Sequence, residues 1–504
     1  MALYDFTIYS IIERNAKLLP EHTALIWEDQ SITHKAFKER VNRLASGLLE
    51  GGIKKGDRLG VLAQNSIEYF TLYGAAAQIG AVMVPINWRF SPKEIGYILA
   101  DTTPRFIFAD PEFHPAINDL APNLNFIEAY FSMFEGRGKF QPFEFLMKRN
   151  ETRDKIQIAS DDSFVIIYTA AVTGKPRGAV LSHGNLITAN TEYLMFMDIQ
   201  ERDVHLAFLP LYHIACLGMA MAVLHAGGKN IIMSKFDKNT ALENIEKEGV
   251  TLFANFPPIL SNLLEEAEVS SRDLSSLRWV MGIEQPDIIE KLEKATNSRF
   301  VLGYGQTEVS GVVSLGVFSE KPGSAGKPGL LIEMKLVDEY DREVDIGKVG
   351  EIAVRGPGVF KGYWQLEEET KYTFRNEWHH TGDLGRFDHE GYLWYEGRTP
   401  EKELIKPGGE NVYPAEVEAI ILEHPSIKEV CIIGVPDSEW GEAIKAVCVL
   451  KSGQSVADKD LIEFVGARIS RYKKPKFVDF VQDLPKASGG AIDREKIKTD
   501  FGAA

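Results

Sequence analysis

Cysteine is scarce in this chain: 504 residues carry three thiols, Cys216, Cys431 and Cys448, each set in an apolar run. A sparse and odd complement excludes a disulfide scaffold and fits buried thiols in a reducing compartment. Excess positive charge is missing too, with 56 Lys plus Arg against 72 Asp plus Glu and a net charge of -16. That balance argues against a general binder of nucleic acid or anionic membrane, although a locally basic pocket can sit inside an acidic envelope. No run approaches the ~18 apolar residues of a membrane span, and the opening M-A-L-Y-D-F-T-I lacks the basic and apolar regions of a secretory leader. The expectation is a soluble cytoplasmic protein with no nucleic-acid partner and no integral membrane span. There is also no internal repeat or low-complexity tract.

What is present is alternation. Short apolar runs at Arg58 to Leu62, Arg105 to Ala109, Phe164 to Ile167, Thr251 to Ala254, Arg278 to Met281 and Arg299 to Leu302 interleave with helical patterns such as Ile67 to Gly80. Such alternation implies parallel sheets covered by helices, whose ligands bind outside the carboxyl ends of the strands. The length exceeds one ordinary core. The expected fold class is α/β: a large N-terminal domain of helix-covered β-sheets over residues 1–400, then a small, mobile C-terminal α+β domain over 401–504. The junction T-P-E-K-E-L-I-K-P-G-G-E-N is rich in charge, Pro and Gly, as a hinge about Glu401 to Glu403 should be. Beyond it, Val417 to Leu422 and Asp460 to Ile469 suit helices, and Glu429 to Val435 and Ala443 to Leu450 suit strands.

The chemistry-bearing segments follow those strands. Tyr168 to Gly178 reads Y-T-A-A-V-T-G-K-P-R-G, a loop whose Thr169, Thr173, Gly174, Lys175, Arg177 and Gly178 offer N–H groups, hydroxyls and two cations to a polyphosphate. It is not a Walker loop, because Thr169 stands where the first Gly belongs and Pro176 follows Lys175. Taken alone, it is equally an ordinary surface turn. Arg299 to Glu308, R-F-V-L-G-Y-G-Q-T-E, places Thr307 and Glu308 as oxygen ligands suited to Mg2+ beside Tyr304 and Gly305. Further on come H-T-G-D-L-G at His380 to Gly385, Gly397 and Arg398, and G-G-E-N-V-Y-P-A-E-V-E ending at Glu418.

These four segments, in this order, resemble the adenylate-forming superfamily of acyl-CoA synthetases, firefly-type luciferases and peptide-synthetase adenylation domains, over nearly the whole chain. The resemblance implies that the first loop holds the β- and γ-phosphates, that Thr307 and Glu308 form the adenine/Mg2+ motif, and that Asp383 binds the ribose hydroxyls with Arg398 beside it. It implies further that Gly282 lies along the adenine, that Lys406 binds cofactor, and that Gly408 and Gly409 reach the nucleotide and line a thiol tunnel once the small domain rotates. ATP, Mg2+, coenzyme A and a carboxylic acid are the implied cofactors and partners, and there is room for a homodimer.

Three segments depart from that pattern. Leu484 to Arg494 reads L-P-K-A-S-G-G-A-I-D-R, with Ala491 at the position of the catalytic lysine. Losing that cation should slow adenylation on the order of 100 to 1000-fold, by analogy with removing an oxyanion-hole donor. Three readings stand: an engineered Lys→Ala change, favoured by the close match of its flanks, a natural paralogue disabled in the first half-reaction, or a slipped register in which Lys486 or Lys496 substitutes. In the phosphate loop, Ala170, Ala171 and Val172 replace the usual Ser-Gly-Thr, removing two hydroxyls and a flexible glycine. In W-V-M-G-I-E-Q-P, only Gly282 remains of the usual glycine pair.

For the acyl pocket, the resemblance points to His213 and the apolar residues after it in L-P-L-Y-H-I-A-C-L-G-M; a satisfied core histidine is the competing reading. Asn255 to Leu260, Tyr304 and Val309 to Val313 are further wall candidates, and their small apolar side chains suit an aliphatic, alicyclic or aromatic acid. An amino acid is disfavoured, since no Asp follows the His213 segment, and the chain ends at Ala504 without a carrier domain. The expected function is an acid-CoA ligase; the alternatives are an acyl-AMP ligase loading a carrier protein and a non-catalytic nucleotide or acyl-CoA sensor.

Overall fold

The computed structural model describes residue 3 and residues 5–147, 156–169, 176–399, 404–486 and 492–502. Ala170, Ala171, Val172, Thr173, Gly174, Lys175, the hinge at Glu401 to Glu403 and Ala491 lie outside the described residues.

Among the described residues, two large sheets build most of the N-terminal domain. Arg58–Leu62, Val82–Pro85, Phe106–Ala109 and Ser163–Thr169 form the parallel centre of an eight-stranded sheet, and Arg177–Ser182 returns antiparallel beside Ser163–Thr169. Thr23–Trp27, Val204–Ala207, Lys229–Ile232, Leu252–Asn255, Trp279–Gly282 and Arg299–Tyr304 run parallel in a nine-stranded sheet. Most of these strands are buried on both faces, which is why they read as apolar runs and not as alternation. Helix Ile67–Ile79 is buried on every side and touches strands of both sheets, as a helix lying between two layers must.

Asn65 knits the two sheets together where their strands end. Its Nδ2 donates to the Leu209 carbonyl at 2.8 Å, its Oδ1 accepts from the Leu211 N–H at 2.9 Å, and the Tyr73 hydroxyl donates to the Leu211 carbonyl at 3.0 Å. Those buried bonds fix the backbone leading to His213. A third sheet, with Glu333–Val337, Gly350–Arg355, Trp378–Phe387 and Leu393–Arg398 in antiparallel order, brings Thr381 and Arg398 to the same region.

The small C-terminal domain has its own three-stranded sheet of Ile427–Asp437, Gly441–Leu450 and Phe477–Val481. Alternate residues of its first strand enter opposite cores, Val430 and Ile432 on one face and Cys431 and Ile433 on the other. The helix expected from Val417 begins earlier, at Pro414, because proline suits the first helical turn. The helix expected over Asp460 to Ile469 instead spans Asp458–Gly466, starting on two acidic residues that favour a helix N-terminus. No helix among the described residues is long and apolar enough to cross a membrane.

The two domains meet through buried charge. Lys473, 1% exposed, lies between Glu94 of the large domain and Glu416 of the small one, 2.7 Å from the latter. Glu94 Oε2 also accepts from the Ser470 and Ser91 hydroxyls, each at 2.6 Å. Burial raises both carboxyls, but Lys473 and the two hydroxyls outweigh it at Glu94, which ends below its ordinary value, whereas Glu416 lacks the hydroxyls, faces Glu94 and stays above. Arg89 adds a second tie, donating to Glu410 and to the Tyr212 hydroxyl, each at 2.8 Å.

Removing one member of a buried ion cluster strands the others, at a cost of about 3–5 kcal/mol. Lys473→Met should therefore release the small domain, seen as a larger radius in small-angle scattering and an earlier unfolding transition. An unchanged scattering profile and melting curve would show that docking does not depend on this cluster.

Candidate functional site

Loops from the strand ends of both large sheets open into one cleft of about 1270 Å³, continuous with solvent. Its wall carries eleven of the residues singled out in the sequence: Thr169, Arg177, His213, Gly282, Tyr304, Gly305, Thr307, Glu308, Arg398, Lys406 and Gly409. Three others stand off that wall. Gly178 packs where a Cβ would meet Ile166 at 2.6 Å, a Cβ on Gly408 would meet Trp440 at 2.7 Å, and Asp383 lies behind the lining residues, 2% exposed.

Asp383 is held by the residues in front of it. Its Oδ2 accepts from the Tyr304 hydroxyl at 2.7 Å and from Gln306 Nε2, and its Oδ1 pairs with Arg398 Nε at 3.0 Å. Strand register explains the pair, since Asp383 and Arg398 face each other across the antiparallel ladder. Burial lowers the guanidinium pKa, but the Asp383 charge outweighs it and holds the group above its ordinary value. Lys406, from the small domain, is pushed down to about 8 by burial and by Arg398.

Glu308 follows the strand Arg299–Tyr304 on a short turn and is buried. Its Oε1 accepts from the Tyr363 hydroxyl at 2.8 Å, while its Oε2 has no hydrogen-bond partner among the described residues. Arg177 lies 4.2 Å over the ring of Tyr363. No group of three His, Cys, Asp or Glu among the described residues could hold a metal alone. One carboxylate with a free oxygen and the neighbouring Thr307 hydroxyl is nonetheless a donor set that fits Mg2+, which takes one or two protein oxygens beside phosphates and water.

Glycines flatten the wall because nothing larger fits. A Cβ on Gly282 would lie 1.9 Å from the Asn255 carbonyl, and one on Gly305 would lie 2.2 Å from the Gly311 carbonyl. His213 precedes helix Ile214–Ala226, where its Nδ1 accepts from the Ala215 N–H at 3.1 Å. Its pKa is lowered by burial, so the ring stays neutral with Nε2 carrying the proton. Of the acyl-wall candidates, Ile214, Ala215, Met219, Asn255, Phe256 and Gly311 reach the cleft.

Sequence reasoning missed Tyr193, Met281, Asn411 and Tyr413, all on the wall, and the supporting role of Gln306 and Tyr363. Gln306 and Met281 sat inside quoted segments. Tyr193 gave no signal, because it lies on helix His183–Met197, which is buried on several faces.

Residues 12–364 match the AMP-binding enzyme family and residues 416–490 the AMP-binding enzyme C-terminal domain. A feruloyl-CoA synthase of Amycolatopsis is 34% identical over 495 residues, 97% of this chain and 98% of that protein. An indoleacetate–CoA ligase of Aromatoleum aromaticum is 32% identical, over 97% of this chain and 96% of its own. Among solved structures, a double mutant of the o-succinylbenzoate CoA synthetase of Bacillus subtilis, bound with its product analogue OSB-NCoA, matches at 28% identity with a TM-score of 0.86 over 98% of each chain. The same synthetase in complex with the acyl-adenylate intermediate OSB-AMP matches less well, with a TM-score of 0.71 over 98% of this chain and 99% of that one. The cleft's residues and these matches agree: the chain belongs to the AMP-binding enzyme family.

Proposed function

We propose that this protein is an ATP-dependent, AMP-forming acid-CoA ligase with a large domain over residues 1–400 and a rotating domain over 401–504. The observation that carries the reading is the meeting of strand-end residues from both sheets with Lys406 and Gly409 of the small domain in one cleft. In the first half-reaction a carboxylate oxygen attacks the α-phosphorus of ATP, the bond to the β-phosphate breaks, and pyrophosphate leaves. In the second, the CoA thiol loses its proton and its sulfur attacks the acyl carbon, displacing AMP. Both steps rely on positioning and on compensating negative charge.

Roles follow from geometry. Arg177, on the cleft wall, would face the phosphates. The Asp383 carboxylate would accept the ribose hydroxyls, exchanging protein donors such as Gln306 for them. Thr307 and the free Oε2 of Glu308 would hold Mg2+, which when bound would offset phosphate charge. Neutral His213 can donate from Nε2 towards the acyl or thiol group without adding charge.

The docked arrangement suits the thioester step. Gly409 sits against Phe256, its φ of +84° being backbone that glycine tolerates, and a Cβ there would lie 3.0 Å from the ring. The better match to the relative bearing a CoA-product analogue supports the same assignment. The flanks of Ala491 stay on the small domain: Lys486 pairs with Ile492 across a bridge and with Glu429 at 3.1 Å, and Arg494 pairs with Glu418 at 2.8 Å. Lys496 pairs with Asp500 at 3.2 Å. Lys486 is 46% and Lys496 59% exposed, and exposed pairs are worth about 0–1 kcal/mol, so these contacts leave the slipped-register reading standing beside the other two.

Three measurements test this reading. Ala491→Lys should raise acid-dependent pyrophosphate release on the order of 100 to 1000-fold, while the unsubstituted protein should still convert a supplied acyl-adenylate and CoA to thioester; ATP binding without release for any acid would refute the ligase. Gly409→Leu should slow the thioester half-reaction at least ~10-fold, with little effect on adenylation by the Ala491→Lys protein, because only the docked state places that residue beside Phe256; equal losses in both steps would remove the tunnel role. The sign for Lys406 follows from its lowered pKa: the ammonium is present below about 8 and lost as pH rises through that value. AMP affinity should accordingly fall above that pH, and Lys406→Met should flatten the profile; a profile unchanged by the substitution would exclude this lysine.

A further inference from the structure

Resting on the ligase reading, the geometry points to Tyr193 as a specificity residue whose hydroxyl, on the cleft wall beside Gly311, selects acids that carry an oxygen substituent at the end remote from the carboxylate. The side chain is 2% exposed and lines the cleft, yet its hydroxyl has no hydrogen-bond partner among the described residues. The hydroxyl opens onto the cleft, and an acid that covered it without pairing it would leave a buried hydroxyl unsatisfied, which is costly. Burial holds the phenol far above its ordinary pKa, so it remains a neutral group that can both donate and accept.

The surroundings direct that hydroxyl to a ligand. Gly311 forms part of the same wall, with φ of +93°, and a Cβ there would come within 3.6 Å of the Tyr193 oxygen and 3.1 Å of Ile214. Gly218 lies against the Tyr193 ring, where a Cβ would approach to 3.4 Å. Two glycines thus keep the hydroxyl uncovered, while Met219 and Met281 pack in the same apolar cluster as Tyr193 and Ile214 lies beside Gly311. Asn255 differs: its Oδ1 also lacks a partner but is fully covered, and its Nδ2 is engaged by the Ile283 carbonyl at 3.0 Å and by Glu284 at 3.2 Å. A hydroxyl, ether or carbonyl oxygen on the acid would complete the bond to Tyr193, whereas an acid ending in hydrogen would bury the phenol unpaired.

The test uses the full chain and four acyl-sulfamoyladenosine probes in two matched pairs: 4-hydroxycinnamoyl with cinnamoyl, and 6-hydroxyhexanoyl with hexanoyl. Isothermal titration should show tighter binding, by roughly 10-fold, of the oxygenated member of at least one pair. Tyr193→Phe, which keeps the ring and its packing, should collapse that gap while leaving the oxygen-free probe unchanged. Equal affinities within both pairs, or a gap that survives Tyr193→Phe, would overturn the inference while the ligase reading stands. If none of the four probes binds, the ligase reading fails and takes this inference with it.

Discussion

A parallel sheet has all its strands pointing one way, so every loop leaving a carboxyl end emerges along the same edge. Two such sheets packed about the buried helix Ile67–Ile79 place two of these edges side by side. The cleft follows from that constraint. Thr169 leaves one sheet, and Gly282 and Tyr304 leave the other; they are distant in the chain and adjacent in space because their strands end together. Asn65 secures the alignment by bonding backbone on the far side of the junction.

The acidic envelope and the basic cleft coexist because charge is arranged by pairing. Arg398 meets Asp383 across a ladder, while Lys406 enters the same cleft, where burial first and the neighbouring Arg398 second lower its pKa. A net charge of -16 over the whole chain therefore says little about the few positive groups a nucleotide would meet.

Much of this was legible in the sequence. Apolar runs located the strands Arg58–Leu62, Leu252–Asn255, Trp279–Gly282 and Arg299–Tyr304 to within a residue or two, since strands buried on both faces carry continuous hydrophobic patterns. The family resemblance implied that Thr307, Glu308, Asp383 and Arg398 share one region. Asp383 stands behind the wall and not on it, a difference of a few ångströms set by Tyr304 and Gln306, which no local pattern encodes. Tyr193 was invisible for a related reason: on a helix buried on several sides, a tyrosine facing a ligand reads like any other core residue.

The position of the small domain ties these features together. Docking brings Lys406 beside Arg398, which by itself is repulsive, and the arrangement is held by the separate cluster of Lys473 with Glu94 and Glu416 and by Arg89 with Glu410. An anion in the cleft would relieve that repulsion. Occupancy of the proposed nucleotide site and closure of the domain would thus be coupled in sign, and by linkage docking would raise affinity for the anion by the same factor as the anion favours docking. In the proposed ligase cycle, where the small domain would be released for one half-reaction and held for the next, departure of pyrophosphate or AMP would change the charge in the cleft at each stage.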